Sequence, residues 1–260
     1  MQLGRPPENA LAQDIGHRPW NPPRAPWVMF QSWRDVLFIH WPIAARVLRP
    51  LVPPQLSIEV FDSTAWLSLT PLEMRDVHLR GLPPVPGLSR FPELNLRTYV
   101  RHRGKPGVFF FSLDTTNWLA TASARGFFRL PYRKASMQIE RRPEGTHFES
   151  HRPGAEFVAT YRPIGGELEA RPGSLEYFLI ERYALYSTLP GRQVLRGEIH
   201  HRPWRLHSAV ADVEHDNIAR AHGIELPDIP PILHYAERQD TLVWAPLPSR
   251  TGARLVPAYG

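Results

Sequence analysis

The tightest constraint in this sequence is a row of polar side chains set beside an unbroken apolar strand. Residues 91–134 run FPELNLRTYVRHRGKPGVFFFSLDTTNWLATASARGFFRLPYRK. They read as strand, tight turn, strand, short helix, turn and strand. Glu93, Asn95, Arg97 and Tyr99 recur at period two and share one face of the first strand, with Leu94, Leu96 and Val100 on the other. Across the turn His102–Gly107, the run Val108-Phe109-Phe110-Phe111 is apolar at every position, as in a strand covered on both faces. The polar row beside it is therefore expected to face an enclosed space. A carboxylate, an amide and a guanidinium in a covered cavity suit a small polar molecule. A half-solvated strand explains the same alternation, and the exposure of Glu93 and Arg97 separates the two readings.

The rest of the chain supplies many short strands and few helices. Residues 1–27 are rich in Pro and polar groups without periodicity, and read as a flexible or surface-draped arm. Ser32–Trp41 reads as a strand and Pro42–Leu51 as a short helix closed by Pro53-Pro54. Leu56–Phe61 and Ala65–Leu72 pair as a hairpin around Asp62-Ser63, and a long Pro/Gly-rich loop spans 75–92. Thr116–Arg125 reads as a capped short helix. Strands are expected at Ala135–Arg141, Thr146–Ser150 and Phe157–Arg162, with a turn at Gly165-Gly166. A helix capped by Ser174 covers 175–185. Three strands follow near Gln193–His200, His207–Glu214 and Thr241–Ala245, with a helical turn at Asn217–His222. The pattern predicts an α+β fold, mainly antiparallel β, as a barrel or sandwich forming a single domain over 28–260.

Composition narrows the function classes. There is no cysteine, which excludes disulfides, thiol catalysis and thiolate metal sites. No apolar run reaches membrane-spanning length and no apolar signal core opens the chain, so a cytoplasmic protein without membrane partners is expected. The net charge of +6 rests on arginine, since Lys105 and Lys134 are the only lysines. The arginines are interleaved with acids and form no basic block, which argues against nucleic acid. No phosphate loop, GxSxG or HExxH is present, and no histidine spacing fixes a metal; no cofactor is expected. A homo-oligomer is compatible with this composition.

Several segments carry a family resemblance: ELNLRTYV (93–100), GKPGVFFFSLD (104–114), AR (124–125) and LPY (130–132). FIHWPI (38–43), LRPLVPPQL (48–56), SLEYFLIERYALY (174–186) and HHRPWRL (200–206) extend it. Over roughly residues 30–246 the chain resembles the bacterial DUF2071, or YqjF-like, family of the acetoacetate-decarboxylase-like superfamily. The resemblance implies a conical β-barrel with an internal pocket and a few short helices. It also implies a comparison with decarboxylases whose lysine forms a Schiff base with a keto acid, its pKa depressed by a neighbouring cation. In that pattern a lysine pair follows a proline, after a strand bearing a Glu. Glu93 and Pro131 match, but Tyr132 and Arg133 follow the proline, and Lys134 comes one place later. Lys134 is thus the one catalytic amine the resemblance offers. Alternation sets it on the polar face opposite Ala135, Met137 and Ile139, with Arg133 on the inner face, so Schiff-base chemistry is not expected.

The residues themselves point to anion binding. Arg97, Arg125 and Arg133 come from neighbouring elements and can converge on a carboxylate or phosphate through bidentate guanidinium bonds. Glu93 balances their charge, or acts as a base if burial raises its pKa. A structural salt-bridge network accounts for the same residues. Asn95, Tyr132 and His40 complete the candidate ligand-binding set. His200 and His201 are adjacent on a strand and face opposite ways, and Glu181 and Tyr183 lie on the expected helix. Two functions from different classes follow: an enzyme acting on a small keto acid or other carboxylate, and a non-catalytic module that binds a small anionic metabolite.

Overall fold

In the computed structural model, residues 8–117, 129–189 and 193–249 are described. Strands β1 (Met29–Ile43), β3 (Ala65–Leu79), β4 (Phe91–His102) and β5 (Lys105–Thr115) pair antiparallel in the order β1-β3-β4-β5. β10 (Ala184–Thr188) joins β5 in parallel, β11 (Val194–His201) joins β10, and β13 (Ile232–Val243) joins both β11 and β1. These seven strands close a ring, because Ile199–His201 of β11 bond to Thr241–Val243 of β13. From β13 the sheet continues through β12 (Leu206–Asp216), β9 (Ala155–Leu168), β8 (Gly145–Arg152) and β7 (Ser136–Arg142). Short strands β2 (Ser57–Ile58), β6 (Tyr132–Lys134) and β14 (Leu247–Pro248) pair with β4, β5 and β11. The helices are α1 (Glu8–Gln13), α2 (Ala45–Leu48) and α3 (Leu175–Ile180). Ser174 caps α3 by accepting a hydrogen bond from the Tyr177 N–H at 3.2 Å.

The ring wall separates two apolar cores. Inside lie Val36, Phe38, Leu72, Val108, Phe110 and Leu113. Outside, Leu37, Ile39, Leu94 and Leu96 pack against Met137, Phe148 and Phe157 of β7–β9. Bulges tune which residues face inward. Register slips between Leu96 and Arg97, where Phe111 has no partner, so Phe110 and Leu113 both reach the interior although three residues apart. Asp35, at φ 48°, does the same for Trp33 and Val36 on β1.

Several expectations change. β1 runs through Pro42, and α2 keeps only one turn of the expected 42–51 helix. β2 pairs with β4 rather than β3, although Phe61 and Thr64 still bridge a tight turn at Asp62-Ser63. β3 extends to Leu79, shortening the loop to 80–90. Gly165-Gly166 is a bulge inside β9, since Ile164 and Glu167 oppose consecutive residues of β12. The 175–185 helix stops at Ile180, and the apolar run after it is strand β10. Of the alternatives for the N-terminal segment, the described part 8–27 is draped. Leu11, Trp27 and Phe30 form a small core with Leu242 and Trp244, and Arg18 donates to the Ile199 carbonyl. No helix among the described residues is long and apolar enough to cross a membrane.

Gly107 sits where β5 meets β10. A Cβ there would lie 2.4 Å from the Ala184 carbonyl oxygen and 2.7 Å from the Tyr186 ring. Gly107→Val is expected to destabilise the fold by about 1–3 kcal/mol through overpacking at the ring's parallel seam. Chemical denaturation measures this, and unchanged stability would mean that β10 yields freely there.

Candidate functional site

The ring encloses a cavity of about 790 Å³. One wall is built by β4. Its alternation sends Glu93, Asn95 and Arg97 inward and Leu94, Leu96 and Val100 to the outer core, so the polar row meets the interior and not bulk water. Glu93 is 3 % exposed and Arg97 9 %. Tyr132 reaches the same space from β6 and donates its hydroxyl to Glu93 Oε2 at 2.9 Å.

Burial dominates the electrostatics here. Desolvation pushes the Glu93 carboxyl up to about 7, against the opposing hydrogen bonds from Tyr132 and Asn95 and the charge of Arg97. Tyr132 is driven well above the usual phenol range by its own burial and by the Glu93 carboxylate. Desolvation also lowers the pKa of Arg97. Its guanidinium lies over the Phe38 ring at 5.4 Å, and its Nε has no protein acceptor. No ion pair joins Glu93 to Arg97 among the described residues, and Asn95 Oδ1 also lacks a partner. The row continues below: Tyr99 Oη lies 3.2 Å from His40 Nδ1. His40 is fully buried and held well below the usual imidazole range by desolvation, then by His234 and Arg97.

Among the described predicted residues, His40, Arg133 and Lys134 do not line the cavity. Lys134 is exposed, as its polar-face position predicts; Arg133 is exposed too, because the chain breaks its alternation at Ala135 between β6 and β7, and only Tyr132 turns inward. Arg133 was expected on the inner face with Ala135; it stands instead on the side of Asp114 and His222, whose pKa values respond to its charge. Arg125, with most of the 116–125 helix, lies outside the described residues. Lys105 was expected in a solvated turn. The tight turn is Arg103-Gly104, at φ 49° and 78°, and Lys105 opens β5, half-buried, 3.3 Å from Glu198 and over the Trp20 ring at 4.9 Å. Neither lysine of the chain lines the cavity.

Sequence reasoning missed the facing wall. Arg182, His201 and Trp204 line the cavity from the segments after α3 and at the end of β11. Arg182 is held by Glu59 at 2.5 Å, and His201 stacks on Tyr183 at 4.6 Å. Glu181 turns away to accept the Trp204 backbone N–H at 2.9 Å. The signal was present in the adjacent His200-His201 pair, since one of two neighbours on a ring strand must face in. His200 faces out, to the Leu11 carbonyl at 2.8 Å. Among the described residues no cluster of three potential ligands could hold a metal ion.

Comparison with known proteins places this geometry. The DUF2071 family model, described as an uncharacterized conserved protein, matches residues 30–240. The uncharacterized protein YqjF of Bacillus subtilis (strain 168) is 45 % identical over 221 residues, spanning 84 % of this chain and 91 % of that protein. Among solved structures, acetoacetate decarboxylase of Legionella pneumophila superposes with a TM-score of 0.60 at 13 % identity, over 90 % of this chain and 93 % of that one. The enduracididine biosynthesis enzyme MppR, in complex with pyruvate, gives 0.62 at 11 % identity, over 86 % and 91 %. At these identities the likeness is one of fold.

The raised Glu93 pKa links stability to pH. The folded state holds this proton more tightly than the unfolded chain, so the stabilisation is complete below about 4.5 and is lost as pH rises through about 7. Glu93→Gln is expected to remove that decline and to be more stable than the parent above pH 7, by at most about 3 kcal/mol. Paired denaturation curves across this window test it; parallel pH profiles for the two proteins would show that Glu93 ionises freely.

Proposed function

The chain belongs to the DUF2071 family, and from the site it carries we propose that its cavity binds the carboxylate of a small organic acid, such as a keto acid, at Arg97, with Glu93 transferring a proton beside it. The observation that carries this reading is a buried carboxyl poised near neutrality in the same cavity as a guanidinium with an unused donor. A group with a pKa near the working pH serves as acid or base with little penalty in either direction. A guanidinium keeps its charge at any working pH and offers bonds matched to a carboxylate.

Two features argue against an imine mechanism. Lys134 is exposed and Lys105 is tied to Glu198 outside the cavity, so no lysine amine is desolvated beside a substrate carbonyl. Proton transfer next to a carbonyl needs no such amine. Arg97 would hold the carboxylate, and Glu93 would take or return a proton at the neighbouring carbon or oxygen, with Tyr132 orienting its carboxyl.

Thermal melts with a panel of keto acids and simple carboxylates test the binding. A true ligand at about one hundred times its Kd raises stability by about 2.7 kcal/mol, and Arg97→Met should abolish the shift. Turnover assays on the stabilising compounds then separate the classes. Glu93→Gln should cost about 100-fold or more if the carboxyl transfers the proton, whereas stabilisation with no turnover at all assigns a binding module. Borohydride trapping with pyruvate or acetoacetate, read by intact mass, should leave no adduct; a stoichiometric adduct lost in Lys134→Ala would overturn the mechanism.

A further inference from the structure

We infer that the ligand of this cavity is an amphipathic acid, with an apolar group joined to its carboxylate, rather than an acid of pyruvate size. The inference rests on the proposed carboxylate site at Arg97 and extends it to the rest of the molecule bound there.

The cavity is too large and too apolar for a head group alone. Its volume of about 790 Å³ lies in the range that encloses ligands of drug size. Beyond the polar wall of β4 and the Arg182 and His201 side chains that face it, the cavity is walled by Val36, Leu72, Val108, Leu185, Ile199 and Val243 from six strands of the ring. A two- or three-carbon acid at Arg97 would leave most of this surface in contact with water. An apolar chain or ring would cover it, and such burial is the main source of affinity available in a cavity of this kind.

The apolar lining continues to the mouth. Leu82, Val85 and Leu88 of the 80–90 loop line the cavity although they are 58 %, 52 % and 40 % exposed. Three large apolar side chains left wet on one loop are explained by a ligand that reaches them. At the other end of the ligand, the buried donors Arg97 Nε and Trp204 Nε1 both lack protein acceptors while lining the same space. Buried unsatisfied donors favour an oxyanion over a neutral group. One end of the ligand is therefore anionic and the remainder apolar.

Titration calorimetry on the full chain tests this with two matched series: straight-chain carboxylic and 2-keto acids from four to ten carbons, and n-alkanols of the same lengths. Affinity for the acids should rise about fourfold per methylene until the cavity is filled. Acids should bind at least about tenfold tighter than alkanols of equal length, and Arg97→Met should erase that difference. Acid affinity independent of length, with the acid preference intact, would overturn the apolar group and leave the carboxylate site standing. Equal affinity of acids and alkanols would overturn the carboxylate site, and this inference with it. Absence of binding in both series would also overturn it. Leu82→Asp changes an exposed side chain that the fold does not need. It should weaken the ten-carbon acid and spare the four-carbon acid; an equal loss at both lengths would count against a ligand that extends to the mouth.

Discussion

Strand β4 cannot leave either face in water, and that double burial governs the molecule. Its outer row, Leu94, Leu96 and Val100, is sealed by the β7–β9 flap. Its inner row is polar by sequence and faces the cavity. A one-residue slip in register would exchange the two rows, putting Glu93 and Arg97 among Met137 and Phe148 and three apolar side chains into the polar wall. The outer core therefore fixes the register that positions the site. The bulge opposite Leu96/Arg97 adjusts β5 without disturbing β4, so the cavity keeps its apolar lining and its polar row together.

Charge pairing makes the Glu93–Arg97 arrangement exceptional within this protein. Glu59 faces Arg182 at 2.5 Å, Asp114 faces Arg152 at 2.6 Å, Glu73 faces Arg141 at 3.1 Å and Glu198 faces Arg18 at 3.2 Å. The fold thus pairs buried carboxylates with arginine almost wherever it has them. Glu181 departs from the pattern but is satisfied by the Trp204 N–H and the Tyr183 hydroxyl. Glu93 and Arg97 lie four residues apart on one strand face, with Asn95 between them, and form no ion pair among the described residues. A buried group without its counter-charge is costly, and the cost is relieved by neutralisation or by a partner from outside. Glu93 takes the first course, its pKa raised to about 7. Arg97 has no neutral form within reach; Tyr99 and the charge of Glu93 compensate it in part, and the proposed carboxylate would supply the rest.

Much of this was legible in the sequence because β4 obeys a strict period and its neighbour is uniformly apolar. Glu93, Asn95, Arg97 and Tyr132 meet in one cavity, as the alternation and the proline match suggested. Arg133 did not follow, because Ala135 breaks the strand and resets the alternation inferred from 135–139, whereas Lys134 is exposed as its polar-face position predicts. The second half of the 174–186 motif was read as helix because its apolar residues suit either period. That error concealed β10, and with it the wall bearing Arg182. The bulge at Gly165-Gly166 resembled a turn because glycine marks both. Residues 80–90 have no periodicity; a long loop there either covers a site or fills surface, and the fold decides for the cavity, which Leu82, Val85 and Leu88 line.

The fold is shared with acetoacetate decarboxylase and MppR, but a fold supplies a cavity and not its chemistry. A lysine amine in such a cavity can lose its proton, bond to a carbonyl carbon and draw electrons into the resulting imine. Neither lysine of this chain lines its cavity, and a guanidinium such as that of Arg97 can do none of these. A guanidinium can hold an anion and stabilise charge, so under the proposed function bond-making passes to another group. Glu93 is the group this chain places beside it, buried enough to keep a proton near neutral pH and bonded to a Tyr132 hydroxyl that holds the carboxyl in one orientation. An acid bound at Arg97 would bring a second negative charge close to that carboxyl and favour its protonated form further. The two residues are then coupled through the ligand: the anion that satisfies Arg97 also keeps Glu93 in the protonated form, ready to donate.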